Sequence, residues 1–213
     1  MGIRKGKVGA ANIIKAELID FLLKNGNYDL LASETPFFQG NRWADLIALR
    51  ENKTIGFEIK SEQDSLRTLK EQLSDYIRVF NMVYLVLSEK FINNPAVDFV
   101  SKDIGLIIIK KDHKVIMKRK ATPRLLLDKK WLITLLWRKD LEKLCPKKKN
   151  TEMDDLKNHV LEKCSVKNIQ KQIIISLKSR YATSYKFFLK DRGNYTTIED
   201  LRIITRLKKN HVF

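Results

Sequence analysis

The sequence lacks three features that would assign it to a class at once. It has two cysteines in 213 residues, Cys145 and Cys164, and their separation is not typical of a metal site. No apolar stretch approaches the ~20 residues of a membrane-spanning helix, and none long enough for a signal peptide follows the basic N-terminus. We therefore expect a soluble cytoplasmic protein with no membrane partner.

Acidic residues are also few relative to basic ones. The chain has 42 Lys and Arg against 25 Asp and Glu, for a net charge of +17. Residues 1–120 contain 20 basic and 15 acidic residues, a net charge of +5. Residues 121–213 contain 22 basic and 10 acidic residues, a net charge of +12. Such an excess attracts the phosphate backbone regardless of sequence, which predicts a nucleic acid, in first place DNA, as partner. Charge alone leaves ribosomal RNA or an anionic membrane open.

Hydrophobic periodicity predicts an α/β domain in residues 1–120, with a mixed central sheet flanked by helices. The expected helices cover residues 11–24, 64–80 and 91–102. The expected strands cover residues 28–36, 43–50, 54–60, 82–88, 105–111 and 114–118. Residues 121–213 are predicted to form a basic, mainly helical region that packs on this core.

Three charged residues lie at the polar ends of two neighbouring strands. Residues 51–53 read as a tight turn, so Asp45 and Glu58 come side by side, with Lys60 on the same face as Glu58. Two carboxylates can bind a hard divalent cation, and an ammonium beside them can stabilise a water activated by that cation. This arrangement is typical of sites that hydrolyse phosphodiesters. The alternative is that all three are solvent-facing residues of a half-buried sheet.

Two helices add candidates to this site. Glu17 falls between Ile13 and Phe21 in an apolar stripe, and a core-facing carboxylate needs a cation or a metal as partner. The alternative is a residue at the stripe's edge that reaches water or pairs with a lysine. Gln72 and Tyr76 are one turn apart on the helix that leaves the second strand. They could orient a metal-bound water or a phosphate, although a tyrosine here is also typical of a core.

The order of these elements, with the charged residues in place, resembles the PD-(D/E)XK nuclease superfamily. The Gln72-x-x-x-Tyr76 element looks like that of RecB-type members. The segments 42–45, 56–61, 64–66 and 135–138 are similar to a bacterial family of uncharacterised restriction-endonuclease-like proteins. The resemblance implies a restriction-endonuclease-like sheet, and it extends over roughly residues 8–180.

The same resemblance implies a metal-dependent nuclease. Asp45 and Glu58 would hold Mg²⁺ or Mn²⁺ together with the backbone carbonyl of Ile59 and Glu17, and Lys60 would lie near the attacking water. Members that cut duplex DNA commonly work as dimers, so a homodimer is possible. Members that kept the fold and lost the activity also exist.

The C-terminal third is helical by pattern. One helix is expected from Trp131 to Leu144, and others contain Leu156 and Ile173. Two short helices also fit a helix-turn-helix, but no glycine turn separates them, which favours packing on the core. The aromatic and basic tail from Tyr181 suits either base stacking or a packed terminal segment. Phosphate contacts are expected from four basic residues: Arg42, Lys147, Lys148 and Lys149.

The sequence therefore supports three functions. The first is a Mg²⁺-dependent nuclease that hydrolyses nucleic acid, in first place DNA, through a metal-activated water. The second is a protein that kept the nuclease fold without activity and binds nucleic acid. The third is a regulatory or interaction protein of a mobile element or a defence system.

Overall fold

A six-stranded mixed sheet lies at the centre of the computed structural model, which describes residues 9–125, 127–146 and 151–205. The strands follow one another in sequence order across the sheet. They are β1 (Leu30–Phe37), β2 (Arg42–Arg50), β3 (Lys53–Lys60), β4 (Met82–Ser88), β5 (Gly105–Ile109) and β6 (Val115–Arg119). Pairs β3–β4 and β4–β5 are parallel and the other three are antiparallel. The predicted α/β class with a mixed sheet is confirmed.

The β2–β3 turn fixes the register that matters for the site. Glu51 and Asn52 both adopt left-handed backbone angles, with φ of 52° and 59°. Two such residues form the tight turn whose twist matches that of the flanking strands. The pairing runs from Arg50 opposite Lys53 to Leu46 opposite Phe57. One step further along this register, Asp45 lies beside Glu58.

Helices cover both faces of the sheet. They are α1 (Ala10–Asn25), α2 (Leu69–Val79), α3 (Pro95–Asp98), α4 (Lys129–Leu132), α5 (Arg138–Leu144), α6 (Met153–Lys163), α7 (Val166–Asp191) and α8 (Ile198–Ile204). Helix α1 contacts β3, β5 and β6, and α2 contacts β3 and β4. The ring of Phe80, just after α2, lies so close to Gly56 that a Cβ there would meet it at 2.5 Å. Glycine at this position lets α2 approach the sheet.

The C-terminal region is helical, as predicted, and its longest helix lies against the sheet. Helix α7 contacts β1, α4, α5 and α8. Buried side chains on both sides of Lys120, such as Leu85 and Ile173, belong to one hydrophobic core. The boundary between two domains at residue 120 stays a prediction. None of the helices in the described ranges is long and apolar enough to cross a membrane.

Three helix predictions are wrong in detail. The helix expected over residues 64–80 begins only at Leu69 and ends at Val79. Residues 91–102 hold only the end of a 3₁₀ turn at Glu89–Phe91 and the single turn of α3, because a residue before proline avoids the helical region and Asn94 is extended before Pro95. The helix expected from Trp131 is interrupted by an extended Leu136. The tail after Tyr181, in contrast, continues α7 as far as Asp191.

Candidate functional site

The structure brings Asp45 and Glu58 together at the predicted place. One carboxylate oxygen of Asp45 accepts a hydrogen bond from the backbone N–H of Ile59 at 2.7 Å. The N–H of Asp45 donates to the hydroxyl of Tyr76 at 3.2 Å. The strand pair and helix α2 therefore position this pair of carboxylates.

Lys60 and Gln72 complete the inner part of this cluster. The Nζ atom of Lys60 lies 2.9 Å from a carboxylate oxygen of Glu58 and 2.8 Å from Oε1 of Gln72. Glu58 is 2% exposed and Lys60 is 7% exposed. The alternative that these residues are solvent-facing is wrong, because α2 covers this face of the sheet. They form a buried ion pair anchored to that helix.

Burial and mutual repulsion set the electrostatics of the cluster. Loss of water raises the pKa of Asp45 to about 7, with a further contribution from the neighbouring carboxylate of Glu58. The N–H of Ile59 acts in the opposite direction. Burial, followed by the same two carboxylates, also raises the pKa of Tyr76 well above its ordinary value. Asp45 therefore titrates near neutral pH.

Helix α1 contributes a lysine that the sequence reasoning missed. Lys15 is 4% exposed, and its Nζ atom lies 2.9 Å from the hydroxyl of Ser33 and 2.5 Å from a carboxylate oxygen of Glu34. The hydroxyl of Ser33 donates to the carbonyl of Asp45 at 3.1 Å, and the charge of Lys15 lowers the pKa of Asp45. In the sequence Leu18, Ile19 and Leu22 follow Lys15 at helical spacing, but the apolar stripe of this helix is broad, so the spacing alone did not single out Lys15.

Glu17 does not join Asp45 and Glu58 through any contact within the described residues. Its carboxylate lies 3.1 Å from Nδ1 of His113 and is about one-third exposed. The buried stripe of α1 centres on Leu18 and Ile19, and Ile13 is 39% exposed. The prediction therefore placed the apolar stripe too far towards Ile13. In the structure Glu17 lies at the edge of the buried stripe, which is the position that the alternative assigned to it.

The donor set does not by itself fit a resident divalent cation. No group of three or more His, Cys, Asp or Glu side chains that could hold a metal occurs among the described residues. One carboxylate oxygen of Glu58 faces Lys60 and one of Asp45 faces the N–H of Ile59. The ammonium of Lys60 already balances one of the two carboxylate charges that a metal would balance. The requirement for Mg²⁺ or Mn²⁺ stays a prediction.

The residues expected to contact phosphate fall into two groups. Arg42 forms ion pairs with Glu71 and, at 2.9 Å, with Asp75, so it ties the start of β2 to α2 instead of standing free for a ligand. Lys147, Lys148 and Lys149 lie outside the described residues. A role for these three lysines in binding stays a prediction.

Comparison with known proteins points to a phage family. Residues 6–205 match the family described as bacteriophage P4 protein cII. The protein cII of Enterobacteria phage P4 is 30% identical over 211 residues, which cover 93% of this chain and 78% of the relative. A protein of unknown function from Silicibacter pomeroyi aligns with a TM-score of 0.43 and 14% identity, over 69% of this chain and 98% of that one. A likeness this low does not establish a shared fold.

These findings overturn the assignment to the PD-(D/E)XK nuclease superfamily. The matching family is that of a phage protein and not of a nuclease, so the prediction of a Mg²⁺-dependent hydrolase is wrong as well. The physical reason lies in the cluster itself. A strand pair that buries an ion pair beneath a helix produces the same spacing of Asp45, Glu58 and Lys60 as a hydrolytic site. The structure gives no support to a specifically restriction-endonuclease-like sheet.

Proposed function

The chain belongs to the family of the bacteriophage P4 protein cII, and we propose that it binds nucleic acid without cleaving it. One observation carries this proposal: most of the net charge of +17 comes from the C-terminal helical region. Some of the carboxylates of this region are turned inward and are not available for ion pairs with its surface lysines and arginines.

The inward carboxylates serve the fold. Asp140 is buried and accepts a hydrogen bond from the hydroxyl of Ser176 at 2.5 Å. Asp200 is also buried and caps α8 through the N–H and hydroxyl of Thr197. Beyond Lys120 the sequence has only 10 acidic residues against 22 basic ones. With two of the ten engaged internally, at most eight carboxylates of this region remain to pair with its lysines and arginines at the surface.

A surface of this kind favours a polyanion whose charges repeat along its length. Duplex DNA carries one negative charge per ≈1.7 Å, and each phosphate neutralised by a lysine or arginine releases condensed counterions. The same gain is not available from a partner with scattered carboxylates. A nucleic acid therefore suits the charge better than an ordinary acidic protein does.

Fluorescence anisotropy with a labelled duplex of about 20 base pairs and the matching single strand, at several salt concentrations, tests the proposal. We expect binding that weakens linearly in a plot of log affinity against log salt. The same DNA incubated with the protein in Mg²⁺ or Mn²⁺ should remain intact on a gel. Poly-glutamate serves as a control polyanion without phosphates. Absence of binding at low micromolar protein in about 50 mM salt would refute the proposal. The proposal would also be refuted if poly-glutamate displaced the labelled DNA as well as unlabelled DNA does.

A further inference from the structure

Helix α7 carries an unusual distribution of charge. It spans 26 residues from Val166 to Asp191, or about 39 Å at 1.5 Å per residue. Its inner residues, such as Ile173 and Phe188, are buried against the core. Its exposed positions include five lysines: Lys167, Lys171, Lys178, Lys186 and Lys190. The sequence of the helix contains no acidic residue before Asp191.

The preceding helix shows the ordinary pattern. Helix α6 mixes signs along its surface, and Lys157 lies 3.3 Å from a carboxylate oxygen of Asp154. Such pairs at i,i+3 or i,i+4 stabilise an exposed helix. On α7 the five lysines gain no such support from their own helix. A run of like charges carries a small cost to helix stability, and this cost points to a ligand of opposite sign.

Four of the five lysines lack an ion-pair partner within the described part of the chain. Lys178 is the exception, with Asp29 at 3.3 Å. The segments outside the described ranges contain no Asp or Glu, so their side chains cannot supply the missing carboxylates. We call Lys167, Lys171, Lys186 and Lys190 the lysine row of α7.

We propose that the lysine row of α7 is the surface through which this protein contacts nucleic acid phosphates, an inference that rests on the proposed function. Lys167 and Lys190 are about 35 Å apart along the helix axis at 1.5 Å per residue. The four side chains leave the helix within an arc of about 140° at 100° per residue. One extended ligand can therefore reach all four. A duplex of that length presents about 20 phosphates.

The chemistry of the row predicts contact without sequence preference. A lysine ammonium binds phosphate as a point charge, whereas planar, bidentate recognition of guanine is typical of arginine. The arginine of this helix, Arg180, stacks on the ring of Trp137 at 4.6 Å. It also donates to the carbonyl of Leu135 at 3.0 Å. It is thus held against the segment that leads into α5, and the exposed row presents lysines alone.

The test compares two variants that remove the same amount of charge. One replaces the lysine row with glutamine at all four positions. The control replaces four exposed lysines elsewhere: Lys24, Lys70, Lys102 and Lys111. Glutamine has a helix propensity close to that of lysine, so both variants should fold. Circular dichroism and urea unfolding verify this.

Anisotropy with two unrelated duplexes between about 50 and 200 mM salt gives the readout. The plot of log affinity against log salt has a negative slope, and its magnitude should decrease by about 0.9 for each phosphate that the protein no longer neutralises. For the row variant we expect a decrease of up to about 3.6, and for the control a decrease of less than about 1. At about 0.15 M salt the largest effect corresponds to about 10³-fold in affinity, equal for both sequences. A third variant with arginine at all four positions should keep the wild-type slope.

The outcomes separate this inference from the proposed function. If the wild type does not bind nucleic acid, the proposed function fails and this inference fails with it. If the wild type binds and the slope of the row variant changes no more than that of the control, the lysine row is not the binding surface. The proposed function then stands and this inference fails. If the row variant unfolds, the half-variants Lys167→Gln/Lys171→Gln and Lys186→Gln/Lys190→Gln decide, each with an expected fall of up to about 1.8 in slope.

Discussion

Replacement of Lys60 by methionine should destabilise the protein severely. The ammonium of Lys60 lies 2.9 Å from the carboxylate of Glu58, and both side chains are almost fully buried. Methionine keeps most of the volume and removes the charge, so the carboxylate of Glu58 is left without its cation. Removing one partner of a buried ion pair typically costs about 3–5 kcal/mol, which is the value expected here.

The assay is equilibrium urea unfolding followed by circular dichroism, with thermal melting in parallel. A destabilisation of about 3–5 kcal/mol in a chain of this size lowers the melting temperature by roughly 6–20 °C. The double variant Glu58→Gln/Lys60→Met removes both charges and should recover most of this stability. The control Lys70→Met, on the exposed side of α2, should change stability by no more than about 0.5 kcal/mol.

This experiment distinguishes a structural role from the one first expected. A lysine that only stabilised a reacting water would leave the melting temperature nearly unchanged when replaced. A change below about 1 kcal/mol for Lys60→Met, with no recovery in the double variant, would refute the reasoning. It would mean that Glu58 and Lys60 do not form a buried ion pair.

Three further results are expected. Because burial raises the pKa of Asp45 to about 7, ionisation of this carboxyl opposes folding above its unfolded pKa of about 3.9. The free energy of unfolding of Asp45→Asn, measured in urea, should therefore increase relative to that of the wild type as pH rises from about 4 to about 7. A difference between the two proteins that does not change with pH would contradict this. Burial and the neighbouring thiol of Cys164 raise the pKa of Cys145 to about 11, so a thiol reagent at about pH 8 should label the unfolded protein much faster than the native one; equal rates would show that burial does not protect this thiol. Alanine at the three lysines 147–149 should weaken binding of every sequence equally and lower the salt slope by about 0.7–0.9 for each phosphate no longer neutralised; an unchanged slope would show that these residues do not bind phosphate.

Much of the architecture follows from the sequence by itself. Alternating and continuous apolar runs predicted all six strands, and the tight turn at residues 51–53 was enough to place Asp45 beside Glu58. The apolar positions of α2 placed Gln72 and Tyr76 over the same strands. These predictions succeeded because each depends on contacts between neighbours in sequence or on the fixed periods of helix and strand.

The tertiary structure decided what these residues do. Spacing places Glu58 and Lys60 on one face, but only the packing of α2 on that face makes them a buried ion pair instead of an open site. The rotation of α1 about its axis selects Lys15 for the interior and leaves Glu17 with His113, a choice that its broad apolar stripe did not fix. Likewise, composition predicted a basic C-terminal region, whereas the packing of α7 against β1 and α5 determines which lysines face outward. Burial changes the energy of a charge far more than its position in the sequence does, and burial is a property of the assembled fold.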